Sequence, residues 1–204
     1  MNKIARVFSA KAIGRLAAMV AMACAVLIPA GAMAADWNID QLMQLLAGAK
    51  PERARFVEKK YLSMLDRPVE SSGELRYTAP DRLEKRTLKP KAESMMVEGN
   101  TLTIERGKQQ HVIQMQEYPE LAAFIDSIRG TLAGNRSALE RTFKLKLEGS
   151  KERWKLQLTP ADASIGRNVH MIRIEGGQDD VRSIEIIQTD GDRSQMTIER
   201  IATR

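Results

Sequence analysis

Leu75, Tyr77 and Ala79 alternate with Glu74, Arg76 and Thr78, and the same beat of two returns at Leu102 and Ile104, at Phe143, Leu145 and Leu147, and at Trp154, Leu156 and Leu158. With charged or hydroxyl residues on the off-beat, each stretch predicts a strand with one dry and one wet face, the habit of antiparallel sheets. Turn residues punctuate the chain at hairpin spacing: Arg67-Pro68, Pro80-Asp81, Glu98-Gly99-Asn100, Gly107, Gly149-Ser150, Gly176-Gly177 and Asp190-Gly191-Asp192. That spacing leads to about ten or eleven strands without a βαβ rhythm. His111 to Tyr118 and Val169 to Ile174 read as two of them.

Two stretches break the period. Asn38 is a candidate N-cap for a short helix to about Ala47, with Leu42 and Leu46 on its apolar stripe and Gly48 and Pro51 ending it. Tyr118 to about Leu132 has helical spacing, with Leu121, Phe124, Ile125, Ile128 and Leu132 on one face, and Arg136 to Arg141 adds about a turn. The fold class is therefore α+β, mainly antiparallel β, in one domain.

Composition changes the picture at the N-terminus. The chain has 204 residues, 32 basic and 26 acidic, for a net charge of +6. Residues 1–34 carry Lys3, Arg6, Lys11 and Arg15 and no acid, then an unbroken apolar run from Leu16 to Ile28, then Pro29, Gly31 and Ala32-Met33-Ala34. A basic start, a short apolar run and an A-x-A site are the parts of a secretory signal peptide cleaved after Ala34. Removing it takes four basic residues and no acidic ones, which leaves residues 35–204 at about +2. Basic and acidic residues are then interspersed, with no basic cluster carrying interleaved aromatics, so nucleic acid is not an expected partner. Cys24, the single cysteine, leaves with the signal, so the exported domain is held by its core without disulfides. Reading Cys24 as a lipidated cysteine instead leaves Ala25 to Ala34 as an unexplained apolar tail behind a poor lipobox.

Catalytic chemistry has little to stand on. Two histidines, His111 and His170, lie in strand stretches without metal-ligand spacing, and no G-x-S-x-G, P-loop or G-x-G-x-x-G occurs. We therefore expect neither an enzyme nor a cofactor. Packing is more informative: about ten strands with one apolar face each present more dry surface than two short helices cover. Two solutions stand open at this level. Sheet and helices close a solid core, or the sheet curves into an incomplete barrel with the helices in its mouth over an apolar cavity. Flexible methionines suit such a cavity; in Met95-Met96, adjacent strand residues point to opposite faces.

Gly73-Glu74-Leu75-Arg76-Tyr77-Thr78-Ala79-Pro80-Asp81-Arg82-Leu83 resembles the G-x-L-x-Y/W-x-x-P-x-x-F/L hairpin of the LolA family of periplasmic lipoprotein carriers. The setting is similar too: an export signal and short helix before it, a Gly-Asn-x-Leu turn at Gly99 to Leu102, a mid-chain helix, a W-x-L-x-L-x-P segment at Trp154 to Pro160, and an Asp190-Gly191-Asp192-Arg193-Ser194 turn. The resemblance implies a half β-barrel of about eleven strands, lidded by two or three short helices, around a cavity for acyl chains. Its expected lining is Leu42, Leu46, Phe56, Leu62, Leu75, Tyr77 and Leu83, then Met95, Met96, Leu102, Ile104, Ile113 and Met115, with Leu121, Phe124 and Ile128 of the lid and Leu145, Trp154 and Leu156 of the later strands. It further implies a monomeric periplasmic carrier of an acylated cargo (a lipoprotein, glycolipid or acylated polyketide). The carrier would touch membrane surfaces transiently, between an inner-membrane exporter and an outer-membrane acceptor. A regulatory lipid-binding module on the same fold, or an enzyme acting on an envelope lipid, are the alternatives. Family members commonly place an arginine before the hairpin proline to bond the lid; here Ala79 stands there, with Arg76 and Arg82 as the nearby substitutes.

Overall fold

The computed structural model describes residues 37–49 and 53–201; the export segment and Pro51 lie outside them. Among the described residues the chain opens with α1 (Ile39–Ala47) and continues through six strands, β1 (Arg53–Tyr61), β2 (Val69–Thr78), β3 (Arg82–Lys89), β4 (Glu93–Glu98), β5 (Thr101–Arg106) and β6 (Gln109–Gln114). A 3-10 turn (Met115–Glu117) leads into helices α2 (Pro119–Leu132) and α3 (Arg136–Glu140). Strands β7 (Phe143–Ser150) and β8 (Arg153–Pro160) follow, then the single turn α4 (Ala163–Gly166), then β9 (Val169–Gly177), β10 (Asp180–Gln188) and β11 (Arg193–Arg200).

The eleven strands form one antiparallel sheet in the order β6-β5-β4-β3-β2-β1-β11-β10-β9-β8-β7. Pairing of the first strand with the last joins two meanders, one running out to β6 and the other to β7. Those two outer strands do not pair with each other, so the barrel is incomplete. The segment that links them, from Met115 to Thr142, carries α2 and α3. The chain therefore crosses from one free edge to the other through its helices, which places them over the open mouth of the sheet.

Local chemistry explains the helix ends. The Asn38 side chain accepts from the Gln41 N–H at 3.1 Å while Gln41 Oε1 accepts from the Asn38 N–H at 3.2 Å, a reciprocal capping box. Pro119 opens α2 at a position where a missing N–H costs nothing. Inside α2 the buried hydroxyls of Ser127 and Thr131 donate back to Phe124 O and Ser127 O, which leaves neither unsatisfied. The strand predicted from His111 to Tyr118 ends sooner, at Gln114. Met115 is buried, and its N–H donates to Asn100 O as the chain turns toward α2.

Two apolar clusters flank the concave face. The larger joins Leu42, Met43 and Leu46 of α1 with Leu139, Phe143, Trp154, Leu156, Leu158, Ile172 and Ile174. The smaller joins Val97, Leu102, Met115 and Ile125. Phe124 of α2 packs against both, so the helix bridges them. At Gly134, φ is +61° and a Cβ would stand 2.0 Å from Met43 O, so the turn after α2 lies flush on α1 where a side chain has no room.

Candidate functional site

Between the two clusters the concave face is not filled: a cavity of about 520 Å³ lies there, within the range of small-molecule sites. Partners across an antiparallel ladder share a face. The pairs Tyr77↔Leu83, Leu83↔Val97 and Val97↔Leu102 therefore line up as one wall, and Ile184↔Met196 and Ile186↔Ser194 as the other. Phe124, Ile125, Ile128 and Leu132 of α2 form the roof.

Nine of the residues expected to line this space do so: Leu46, Leu62, Leu75, Tyr77, Leu83, Met95, Leu102, Phe124 and Ile128. The other ten stand elsewhere, for reasons of packing. Leu42, Trp154 and Leu156 are fully buried in the larger cluster and Leu145 packs against it, so this part of the concave face is solid core. Met115 is buried in the smaller cluster, with Ile104, Ile113 and Leu121 packed around it. Phe56 is buried with the Lys85 ammonium 4.9 Å above its ring centroid. Met96 pairs with Glu84 and Thr103 and so lies on the face opposite Met95, which pairs with Lys85 and Ile104. Missing from the expectation were Val97, Ile125 and Leu132, together with Ile184, Ile186, Met196 and Ile198. The alternation of the last four along β10 and β11 is the signal that marks them.

The floor is not wholly apolar. Glu58 of β1 is only 5% exposed, and its carboxylate accepts from Lys85 Nζ at 2.5 Å, Ser194 Oγ at 2.7 Å and Ser71 Oγ at 3.3 Å, with Lys60 Nζ at 3.9 Å. Burial alone pushes the carboxyl up. The Lys85 charge, its hydrogen bond and that of Ser194, and Lys60 outweigh burial and hold the group below its ordinary value of 4.5. A depressed folded-state pKa contributes stability above the unfolded value, and that contribution is lost as pH falls through the folded value. Thermal unfolding followed downward from pH 6 is therefore expected to show Tm falling below about pH 4.5, with a shallower fall in Glu58→Gln; parallel curves would contradict this.

Helix α2 is fastened over the mouth by one side chain. Arg129, 14% exposed at its side chain, donates from Nε to Asp81 O at 2.9 Å and from Nη2 to Gly99 O at 2.5 Å. These carbonyls belong to two different hairpins, the β2–β3 and β4–β5 turns. An eleven-stranded open barrel, a roofing helix and an apolar cavity beneath it agree with the family model that matches residues 30–204, described as outer membrane lipoprotein carrier protein LolA-like. The chain belongs to this LolA-like family. Among solved structures it is similar to a LolA superfamily protein, NE2245, from Nitrosomonas europaea (8% identity, TM-score 0.43, covering 82% of this chain and 95% of that one). It is also similar to a chain of the Pseudomonas aeruginosa MucA/MucB complex (14%, TM-score 0.45, 81% of this chain and 58% of that one). A third is the lipoprotein LppX from Mycobacterium tuberculosis (9%, TM-score 0.41, 79% and 93%). No curated protein matches the sequence.

Within this LolA-like architecture the lid fastening runs in the opposite direction from the one the resemblance implied. Ala79 offers no guanidinium to the lid, and Arg82 is engaged by Glu84 at 2.9 Å and Glu98 at 3.9 Å rather than by a helix. The arginine comes from the lid itself and the carbonyls from the hairpins. Tyr77 of the LolA-like hairpin donates its hydroxyl to Pro80 O at 3.0 Å, so its polar end is satisfied while its ring faces the cavity.

Proposed function

We propose that this protein is a periplasmic carrier that shields the acyl chains of a lipoprotein or another lipid and moves it from the inner to the outer membrane. The observation that carries this reading is the apolar cavity closed by α2 in a chain of the LolA-like family. Walls of Leu, Ile, Val and Met suit acyl chains of varied shape. The energetics suit a carrier as well. Each buried methylene contributes roughly 0.8 kcal/mol, so a chain of about fifteen brings roughly 12 kcal/mol before binding costs. A ligand held that tightly leaves on a useful timescale only if the lid opens, so a movable roof is part of the function. No catalytic group enters this account. Residues 1–34 are read as the export signal and residues 35–204 as the single carrier domain; intact-mass measurement of exported protein should find an N-terminus at Ala35 and no acyl mass.

Native mass spectrometry after gentle purification is expected to find co-purifying acyl-bearing lipid. Ile128→Asp places a charge in the roof over the cavity, where it weakens binding of a fluorescent fatty acid by tenfold or more while far-UV circular dichroism is kept. Wild-type protein that is empty and without affinity for such probes would remove the carrier reading and favour a regulatory module that binds a protein partner.

A further inference from the structure

A cavity for acyl chains alone has no need of a charge cluster in its floor, since buried ions are costly unless paired. This floor has one, and its position is defined by register. Along β1 the inward residues run Ala54, Phe56, Glu58, Lys60: Ala54 pairs with Leu75, near the lid hairpins, whereas Glu58 pairs with Ser71 and Lys60 with Val69. At roughly 3.3 Å per residue, Lys60 is about 20 Å from Ala54 along the strand. The cavity is thus apolar beneath α2 and polar toward Lys60, whose side chain is 52% exposed. Charge near the apolar end is balanced internally: Arg200 lies 3.5 Å from each of Asp179 and Asp180, and Arg182 lies 3.4 Å from Asp180.

Asp192 and Arg193 line the cavity at this end too and contribute one charge of each sign, so the excess charge there is set by the cluster around Glu58. Glu58 accepts from three donors and has the Lys60 ammonium 3.9 Å away, so most of its acceptor capacity is used. Lys85 uses one of three N–H donors on Glu58, and both lysines line the cavity. With Lys60 and Lys85 against Glu58 the cluster carries one net positive charge, and its unused donors are those of the two ammonium groups. Resting on the carrier reading above, we propose that the cavity is built for an acidic amphiphile: an acyl chain lies under α2 and ends in a carboxylate or phosphate received by Lys85 and Lys60.

Displacement of a fluorescent probe by dodecanoate, dodecyl phosphate and methyl dodecanoate at pH 8 tests this. Wild-type protein is expected to bind at least one of the two acids tenfold or more tighter than the ester, and which acid wins distinguishes carboxylate from phosphate. In Lys85→Met the acid-to-ester ratio falls to about one. Because that variant leaves Glu58 without its closest partner, Glu58→Gln/Lys85→Met, which removes both charges, is measured beside it and should show the same loss of preference. Equal binding of acid and ester by the wild type, or a preference that survives both variants, overturns the headgroup site while leaving the carrier intact. Binding of neither acid nor ester overturns the carrier reading and this inference with it.

Discussion

Arg129→Ala is expected to loosen α2 more than any other single change on the lid. The side chain is largely buried and donates to two backbone carbonyls, Asp81 O and Gly99 O, in hairpins 18 residues apart. Hydrogen bonds to a charged group contribute roughly 1.5–3 kcal/mol each, less what water recovers at the exposed turns, so a loss of about 2–4 kcal/mol is expected. In a domain of this size each kcal/mol lowers Tm by about 2–4 °C, which predicts a fall of roughly 5–15 °C. Amides of α2 should lose hydrogen-exchange protection before those of β8 and β9, because the latch joins the helix to the hairpins rather than the strands to each other. Fatty-acid release should quicken by tenfold or more. Arg129→Lys should recover only part of this, since a point ammonium cannot reproduce a planar fork reaching two acceptors. Unchanged Tm together with unchanged α2 protection would show that the two hydrogen bonds do not hold the lid.

This latch also marks where sequence reading stops. Strand alternation and turn residues lead directly to the antiparallel sheet, and Asn38 announces the start of α1, because those signals are local. Arg129 carries no such signal: its acceptors are backbone carbonyls, which every residue type provides. Glu58 and Lys85 are 27 residues apart and meet only through the β1–β2–β3 register. The same limit explains the mixed list of expected cavity residues. A period of two says which face of a strand is dry, but not whether that face meets a helix, as at Leu156 and Leu42, or an open space, as at Leu83 and Met95. Met96 failed on simpler grounds, since two neighbours on one strand cannot share a face.

The division between solid core and cavity can be tested by pairing Trp154→Ala with Leu83→Ala, both in strands and both apolar on the concave face. Trp154 is 1% exposed, its indole N–H donates to Gln178 O at 2.9 Å, and a Cβ at Gly176 would stand 2.4 Å from its ring. That close fit leaves no neighbour able to collapse into the space. Truncation should therefore cost about 3–5 kcal/mol, as for a large aromatic removed from a packed interior. Leu83 already borders empty volume on one side and makes fewer contacts for truncation to remove, so its loss should cost about 1 kcal/mol. Ligand binding should reverse the ranking. At a temperature where both variants are folded, Trp154→Ala should keep its fatty-acid affinity within about threefold. Leu83→Ala removes wall that an acyl chain would touch and should lose about tenfold, or roughly 1.4 kcal/mol. Denaturant unfolding and probe titration on the same samples measure the two quantities. If Leu83→Ala destabilises as much as Trp154→Ala and leaves binding untouched, the space beside Leu83 is not where acyl chains lie.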